Sequence, residues 1–114
     1  MSDCIFCKIA AGDIPARRVL ETENCVVFHD ISPAAPIHLL VIPKQHLASA
    51  DALREEHQAL AGEMLLAAAE AARQEGATDS GYRLVMNTGR NAGQEVMHIH
   101  LHVLGGRSFK WPPG

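Results

Sequence analysis

The chain has 114 residues, a formal net charge of -3 with both signs interspersed, and three cysteines. That length suits one domain over residues 1–114, near the low end for burying a core alone, so oligomerisation is expected. Without a basic stripe, nucleic acid and anionic membranes are poor partners, and a small solute is the better ligand.

In chain order, Met1-Ser2-Asp3 is acidic where a secretory signal would be basic, and no run approaches the roughly eighteen apolar residues of a membrane span. Cysteines without an export signal suggest reduced thiols and a cytoplasmic setting. Asp3 followed by Cys4-Ile5-Phe6-Cys7-Lys8-Ile9-Ala10-Ala11-Gly12 predicts a short helix with an acidic N-cap and a glycine stop. Arg18-Val19-Leu20-Glu21 and Cys25-Val26-Val27-Phe28-His29 predict two strands joined through Thr22-Glu23-Asn24, with Cys25 in the core. The two prolines of Asp30-Ile31-Ser32-Pro33-Ala34-Ala35-Pro36 make that stretch a shaped loop.

His38-Leu39-Leu40-Val41-Ile42 is continuously apolar after its histidine and predicts a central strand ended by Pro43. From about Glu55 to Glu75, Leu60, Met64, Ala67 and Ala71 recur at helical spacing before Gly76, which predicts the one long helix. On it, Gly62 suggests either close approach of another backbone or a plain surface position. His57 is expected to be exposed, and Glu55, Glu56, Glu63, Glu70 and Glu75 to form a solvated face. Tyr82-Arg83-Leu84-Val85-Met86 predicts a fourth strand, followed by the turn-rich loop from Asn87 to Glu95. The tail from Arg107 to Gly114 is too short and proline-rich to fold alone. Runs of strands separated by helices give an α+β class: an antiparallel sheet of about five strands with one long and one short helix.

The stretch Met97-His98-Ile99-His100-Leu101-His102-Val103-Leu104 holds three of the seven histidines. As an extended strand it would place His98, His100 and His102 on one face, about 6–7 Å apart, with Met97, Ile99, Leu101 and Val103 on the core side. A Gly- and Asn-containing loop feeding a row of imidazoles offers backbone N–H groups to anionic oxygens, which points to phosphate chemistry. The central His100 is placed to attack phosphorus. Cys4 and Cys7 form a lone C-x-x-C, readable as a redox pair, half of a zinc site or two small buried residues; only three residues precede it, which disfavours a thioredoxin-type motif.

His98-Ile99-His100-Leu101-His102-Val103-Leu104 fits the pattern His-φ-His-φ-His-φ-φ (φ apolar), and so resembles the histidine-triad (HIT) superfamily. Phe28-His29-Asp30-Ile31-Ser32-Pro33, Pro36-Ile37-His38, Val41-Ile42-Pro43-Lys44, Gly93-Gln94 and Trp111-Pro112-Pro113-Gly114 are similar to its histidine-triad nucleotide-binding branch. The Trp-Pro-Pro-Gly ending points there rather than to the dinucleoside polyphosphate hydrolases. The resemblance implies a HIT-like fold, a homodimer in which Trp111 reaches the partner's site on the leaving-group side, and purine nucleoside phosphoramidase activity on adenosine or guanosine monophosphoramidates. A nucleotide-binding scaffold with little catalysis is the rival from another class.

Residue by residue, the resemblance makes His100 the nucleophile, His98 and His102 its flanking partners, and His38 the fourth member of the network. It assigns Ile14, Phe28, His29 and Ile31 to the purine pocket and Asp30 to the ribose. Asn87, Gly93 and Gln94 match phosphate-side contacts, and Glu95 and Val96 complete the nucleotide-binding set. Related nucleotidyltransferases carry glutamine where this chain has His102, which favours a hydrolase. Glu95 replaces a serine of many members, so its carboxylate is expected to turn outward and only its N–H to serve the site. The resemblance also implies a structural zinc on Cys4, Cys7, His46 and His98, a sensible tetrahedral set, with no catalytic metal required.

Overall fold

A computed structural model describes residues 3–114. The sheet is built from β1 (Arg18–Glu21), β2 (Cys25–His29), β3 (Ile37–Pro43), β4 (Tyr82–Val85) and β5 (Leu101–Gly105). The strands run in spatial order β1-β2-β3-β5-β4, and every neighbouring pair is antiparallel. Two helices flank them: α1 (Ile5–Ala11) and α2 (Gln58–Gln74). The α+β class, the sheet and the two helices are as expected from the sequence.

Strand alternation divides the core between the two sheet faces. On one face Cys25, Val27, Leu39, Val41, Leu101 and Val103 meet Met64, Ala67, Ala68, Ala71 and Ala72 of α2. Those α2 positions repeat at helical spacing, and their small side chains let the helix sit close to the strands. On the other face Val26, Phe28, Leu40 and Ile42 pack on Phe6 and Ile9 of α1. Covered on both sides, β2 and β3 are buried almost throughout, which explains their continuous apolar runs. Gly12 closes α1 at φ 84°, a conformation that costs a side chain but not glycine.

Several local expectations need correction. The N-cap of α1 is Cys4, whose Sγ accepts the N–H of Cys7, rather than Asp3. A 3₁₀ turn over Glu55–His57 precedes α2, and His57 is buried, its Nδ1 accepting the N–H of Arg54. Glu63 does not belong to a merely solvated face: its carboxylate accepts from Thr22 Oγ1, Asn24 N and Asn24 Nδ2, tying the β1–β2 hairpin to α2. Glu75 lies 3.6 Å from His29 Nε2. At Gly62, of the two readings the plain surface position holds within this chain: an added Cβ would meet nothing within 4 Å among the described residues.

The histidine strand also begins later than expected. Continuing the β3–β5 register beyond Val41↔Leu101 would set Pro43 opposite Ile99, but proline has no N–H to donate. Its carbonyl is taken instead by His98 Nε2 at 2.8 Å, while Ile99 N–H turns to Leu47 O at 2.7 Å. Residues 94–100 therefore form a pinned irregular segment, and Met97, expected on the core face, is exposed. No helix among the described residues is long and apolar enough to cross a membrane.

Candidate active site and metal-ligand cluster

The α1 face of the sheet carries the chemistry. His38 is the second residue of β3, and its pairing with Leu104 lies two residue pairs from Leu40↔His102, which puts it on the same face as His102. His38 Nε2 and His102 Nδ1 lie 2.9 Å apart, and the His100 and His102 ring centroids 5.0 Å apart. Beneath them Phe6 of α1 presents its ring edge-on to His100 at 5.1 Å and to His98 at 5.9 Å.

Backbone groups fix the tautomers, because each imidazole nitrogen must match the partner it meets. Ala34 N–H donates to His38 Nδ1 at 2.9 Å, so the neutral ring carries its proton on Nε2 and donates it to His102 Nδ1. His102 then bears its own proton on Nε2. At His100 the order is reversed: Nδ1–H donates to the carbonyl of His98 at 2.7 Å, leaving the lone pair on Nε2. Burial is the main cause that holds the pKa of His38 below the ordinary value, with Asp30 pulling the other way. Burial, then the charges that His100 and His38 would carry, pull His102 down to about 4, against Asp30. Both rings are neutral near pH 7, and the proton chain runs from Ala34 toward His102 Nε2.

The three histidines of the motif do not form one row. The ring of His98 is fully buried and turned into a separate cluster, where its Nδ1 lies 3.3 Å from Cys4 Sγ, 3.5 Å from Cys7 Sγ and 3.1 Å from His46 Nδ1. His46 Nδ1 is 3.3 Å from Cys7 Sγ, and all four ligand atoms fall within 4.8 Å of one another. A tetrahedral metal with bonds of about 2.3 Å to sulfur and about 2.0–2.1 Å to nitrogen needs S···N edges of about 3.6 Å and N···N edges of about 3.3 Å. The cage has that size. His98 Nε2–H on the carbonyl of Pro43 also leaves Nδ1 as the ligating lone pair, the outer-shell arrangement that orients metal-binding histidines. These residues fit a metal ion. Asp30, His38 and His102 form a second group of metal-ligand types, but the proton on His38 Nε2 makes that atom a donor, so the group is wired for protons.

The other sequence-predicted residues are divided. Phe28 is buried beside Phe6, and Ile14 and Val96 are partly buried against the same cluster. Asp30 Oδ1 accepts Ser32 N–H at 2.7 Å, and its Oδ2 stands 3.5 Å from His38 Nε2. Ile31 is 97% exposed. The ring of His29 points to the α2 face, away from Phe28, where it meets Glu75. The amide of Gln94 is used by backbone groups, accepting from Gly89 N and donating to Val96 O and, outside the loop, to Ala48 O. Asn87 is partly buried, Gly93 is exposed at φ 82°, and Glu95 is exposed. Among the described residues the N–H groups of Glu95 and Val96 meet no protein acceptor, which leaves two adjacent donors just before the histidines.

Sequence reasoning missed Phe6, Ala34 N–H and the carbonyls of Pro43 and His98. The Phe6–Ile9 spacing could have marked the buried side of α1; backbone partners leave no trace in residue identity.

The HIT domain model matches residues 11–109. An uncharacterised HIT-like protein of Synechococcus elongatus is 53% identical over 112 residues, covering 98% of this chain and 97% of that protein. Protein HitA of Neisseria gonorrhoeae is 51% identical over 105 residues, covering 92% and 97%. Among solved structures, a HIT family hydrolase from Legionella pneumophila superposes with a TM-score of 0.95 at 50% identity, covering 98% of this chain and 100% of that one. A histidine triad protein from Clostridium difficile gives 0.92 at 36%, covering 96% of each. With the fold, the histidine motif and near-complete coverage in agreement, the chain belongs to the HIT-domain family.

Proposed function

We propose that the chain is a purine nucleoside phosphoramidase of the histidine-triad nucleotide-binding type, a hydrolase of P–N bonds to adenosine or guanosine monophosphate. The observation that carries this reading is the pair of opposed tautomers: a bare Nε2 on His100 beside an Nε2–H on His102. One nitrogen attacks and the next donates, as nucleophilic displacement at phosphorus with an amine leaving group requires. His100 Nε2 attacks the phosphorus and the P–N bond breaks. The departing amine takes its proton through His102 Nε2, and the N–H groups of Glu95 and Val96 hold the phosphoryl oxygens. Water then attacks the nucleotidyl-histidine, returning His100 and releasing the monophosphate. Net consumption is one water.

Phe28, Ile14 and Val96 supply an apolar seat for a purine, and Asp30 is close enough to His38 to serve both ribose and network. Cys4, Cys7, His46 and His98 would hold one zinc ion, which when bound crosslinks α1 to the segments around His46 and His98. Thiolate ligands suit a reducing, cytoplasmic setting. A homodimer is supported by Leu65 and Leu66 on α2 and Leu84 on the edge strand β4, all exposed apolar side chains of one chain.

The test is to mix the protein with adenosine 5′-monophosphoramidate, quench, and map the modified residue by mass spectrometry. An adduct on His100, absent in His100→Ala while nucleotide binding persists, is the expected result. An adduct elsewhere, or one that survives in that variant, overturns the assignment. Binding without any adduct or turnover would instead make the chain a nucleotide-binding module.

A further inference from the structure

The metal-ligand cluster and the histidine pair share one residue, and one helix touches both. His98 gives its ring to the cluster and its carbonyl to His100 Nδ1–H. Helix α1 carries Cys4 at its N-cap and Cys7 in its first turn, and between them Phe6 is edge-on to both His98 and His100. A seven-residue helix has little stability of its own. What keeps it on the sheet is the apolar contact of Phe6 and Ile9 and the cluster at its start.

We propose that Phe6 and His98 are positioning residues for the nucleophile: the metal-loaded cluster clamps α1 and the His98 ring, and through them fixes His100 in the single tautomer that leaves its Nε2 bare. Two independent contacts transmit the clamp. The first is the His98 carbonyl, whose direction is set once the ring is held at Nε2 by Pro43 and at Nδ1 by the cluster. The second is Phe6, which closes the space behind His100. Without the clamp the imidazole of His100 can turn about its side-chain bonds and exchange its proton between nitrogens. It then presents N–H, which cannot attack, for part of the time. A displacement of about 1 Å at a reacting group can cost about 100-fold in rate.

The inference rests on His100 being the nucleophile, so its test needs a readout that does not use turnover. Long-range proton–nitrogen correlation spectra of the ¹⁵N-labelled full chain report the tautomer of each imidazole directly. They are recorded well above the ordinary histidine pKa for the zinc-loaded protein, for protein stripped by chelator under reductant, and for zinc-loaded Phe6→Leu, with zinc content measured in each. The loaded protein is expected to show His100 as one Nδ1–H tautomer. Stripping, and separately Phe6→Leu with zinc retained, should give averaged nitrogen signals for His100 and slow adduct formation about 100-fold, with nucleotide affinity nearly unchanged. Should the stripped protein unfold, Phe6→Leu decides the matter, because it keeps all four ligands. An unchanged single tautomer in a folded stripped protein or in that variant overturns the proposal. If the tautomer shifts as expected but no adduct ever forms on His100, the hold of Phe6 and His98 on that ring stands, while the phosphoramidase reading and their role toward a nucleophile fall.

Discussion

At the scale of single residues, proton placement is what distinguishes this site, and it has a consequence for stability. His102 binds a proton in the native state only near pH 4, whereas an unfolded histidine does so near its ordinary value of 6.5. Between those values the unfolded chain holds more protons, so stability is complete above about pH 6.5 and falls as the pH drops toward 4. His38, also held below its ordinary value, acts with the same sign. Thermal unfolding of the protein across this window should show a falling midpoint, and His102→Gln should flatten the fall. An identical slope in the variant would show that His102 is not the group resisting protonation. The identities of His38, His100 and His102 were legible in the sequence, as was their closeness. Their tautomers were not, because these depend on Ala34 N–H and the His98 carbonyl. His57 was misjudged for a related reason: its Nδ1 is consumed by a backbone N–H at the start of α2, and helical spacing alone says nothing of that.

At the scale of elements, the hairpin and the long helix are coupled by one carboxylate. Glu63 accepts from both ends of the β1–β2 turn, and Thr22 Oγ1, while donating to it, also receives Cys25 N–H. Those hydrogen bonds, from Thr22 first and then Asn24, pull the Glu63 carboxyl below its ordinary range. Burial, and secondarily the Glu63 charge, pushes the Cys25 thiol up to about 11, leaving it neutral in the core. Glu63→Ala should cost about 1–3 kcal/mol, since several charge-assisted bonds and their partners are lost together. Glu70→Ala, which removes only the exposed pair with Arg73, should cost about 0.5 kcal/mol or less. Equal costs in denaturant unfolding would refute the coupling. Periodicity found α2 and all the strands because apolar spacing dictates them. It extended β5 to Met97 because a proline on the neighbouring strand, which ends the ladder, lies more than fifty positions away in the chain.

At the scale of the whole molecule, one face of α2, the edge strand β4 and the C-terminal tail stay uncovered in the single chain. Trp111 is 82% exposed, yet the residues before it are held: Arg83 of β4 donates to Lys110 O at 3.0 Å, and the guanidinium groups of Arg83 and Arg107 lie over the Phe109 ring, 5.3 and 4.2 Å from its centroid. Such cation–π contacts are worth about 0.5–1 kcal/mol each at exposed sites, enough to direct the tail along the edge strand rather than leave it to fray. A large aromatic side chain displayed at an anchored edge is suited to a partner subunit, and the resemblance to the histidine-triad nucleotide-binding branch implies the leaving-group side of that partner's site as its destination. Deleting residues from Trp111 onward should therefore alter the ranking of amine leaving groups by kcat/KM more than it alters the affinity for adenosine monophosphate. Sedimentation of both forms shows whether the deletion acts by changing self-association or by removing the contact alone. If the shortened protein ranks a series of alkyl and aminoacyl amines as the full chain does, the tail takes no part in recognition.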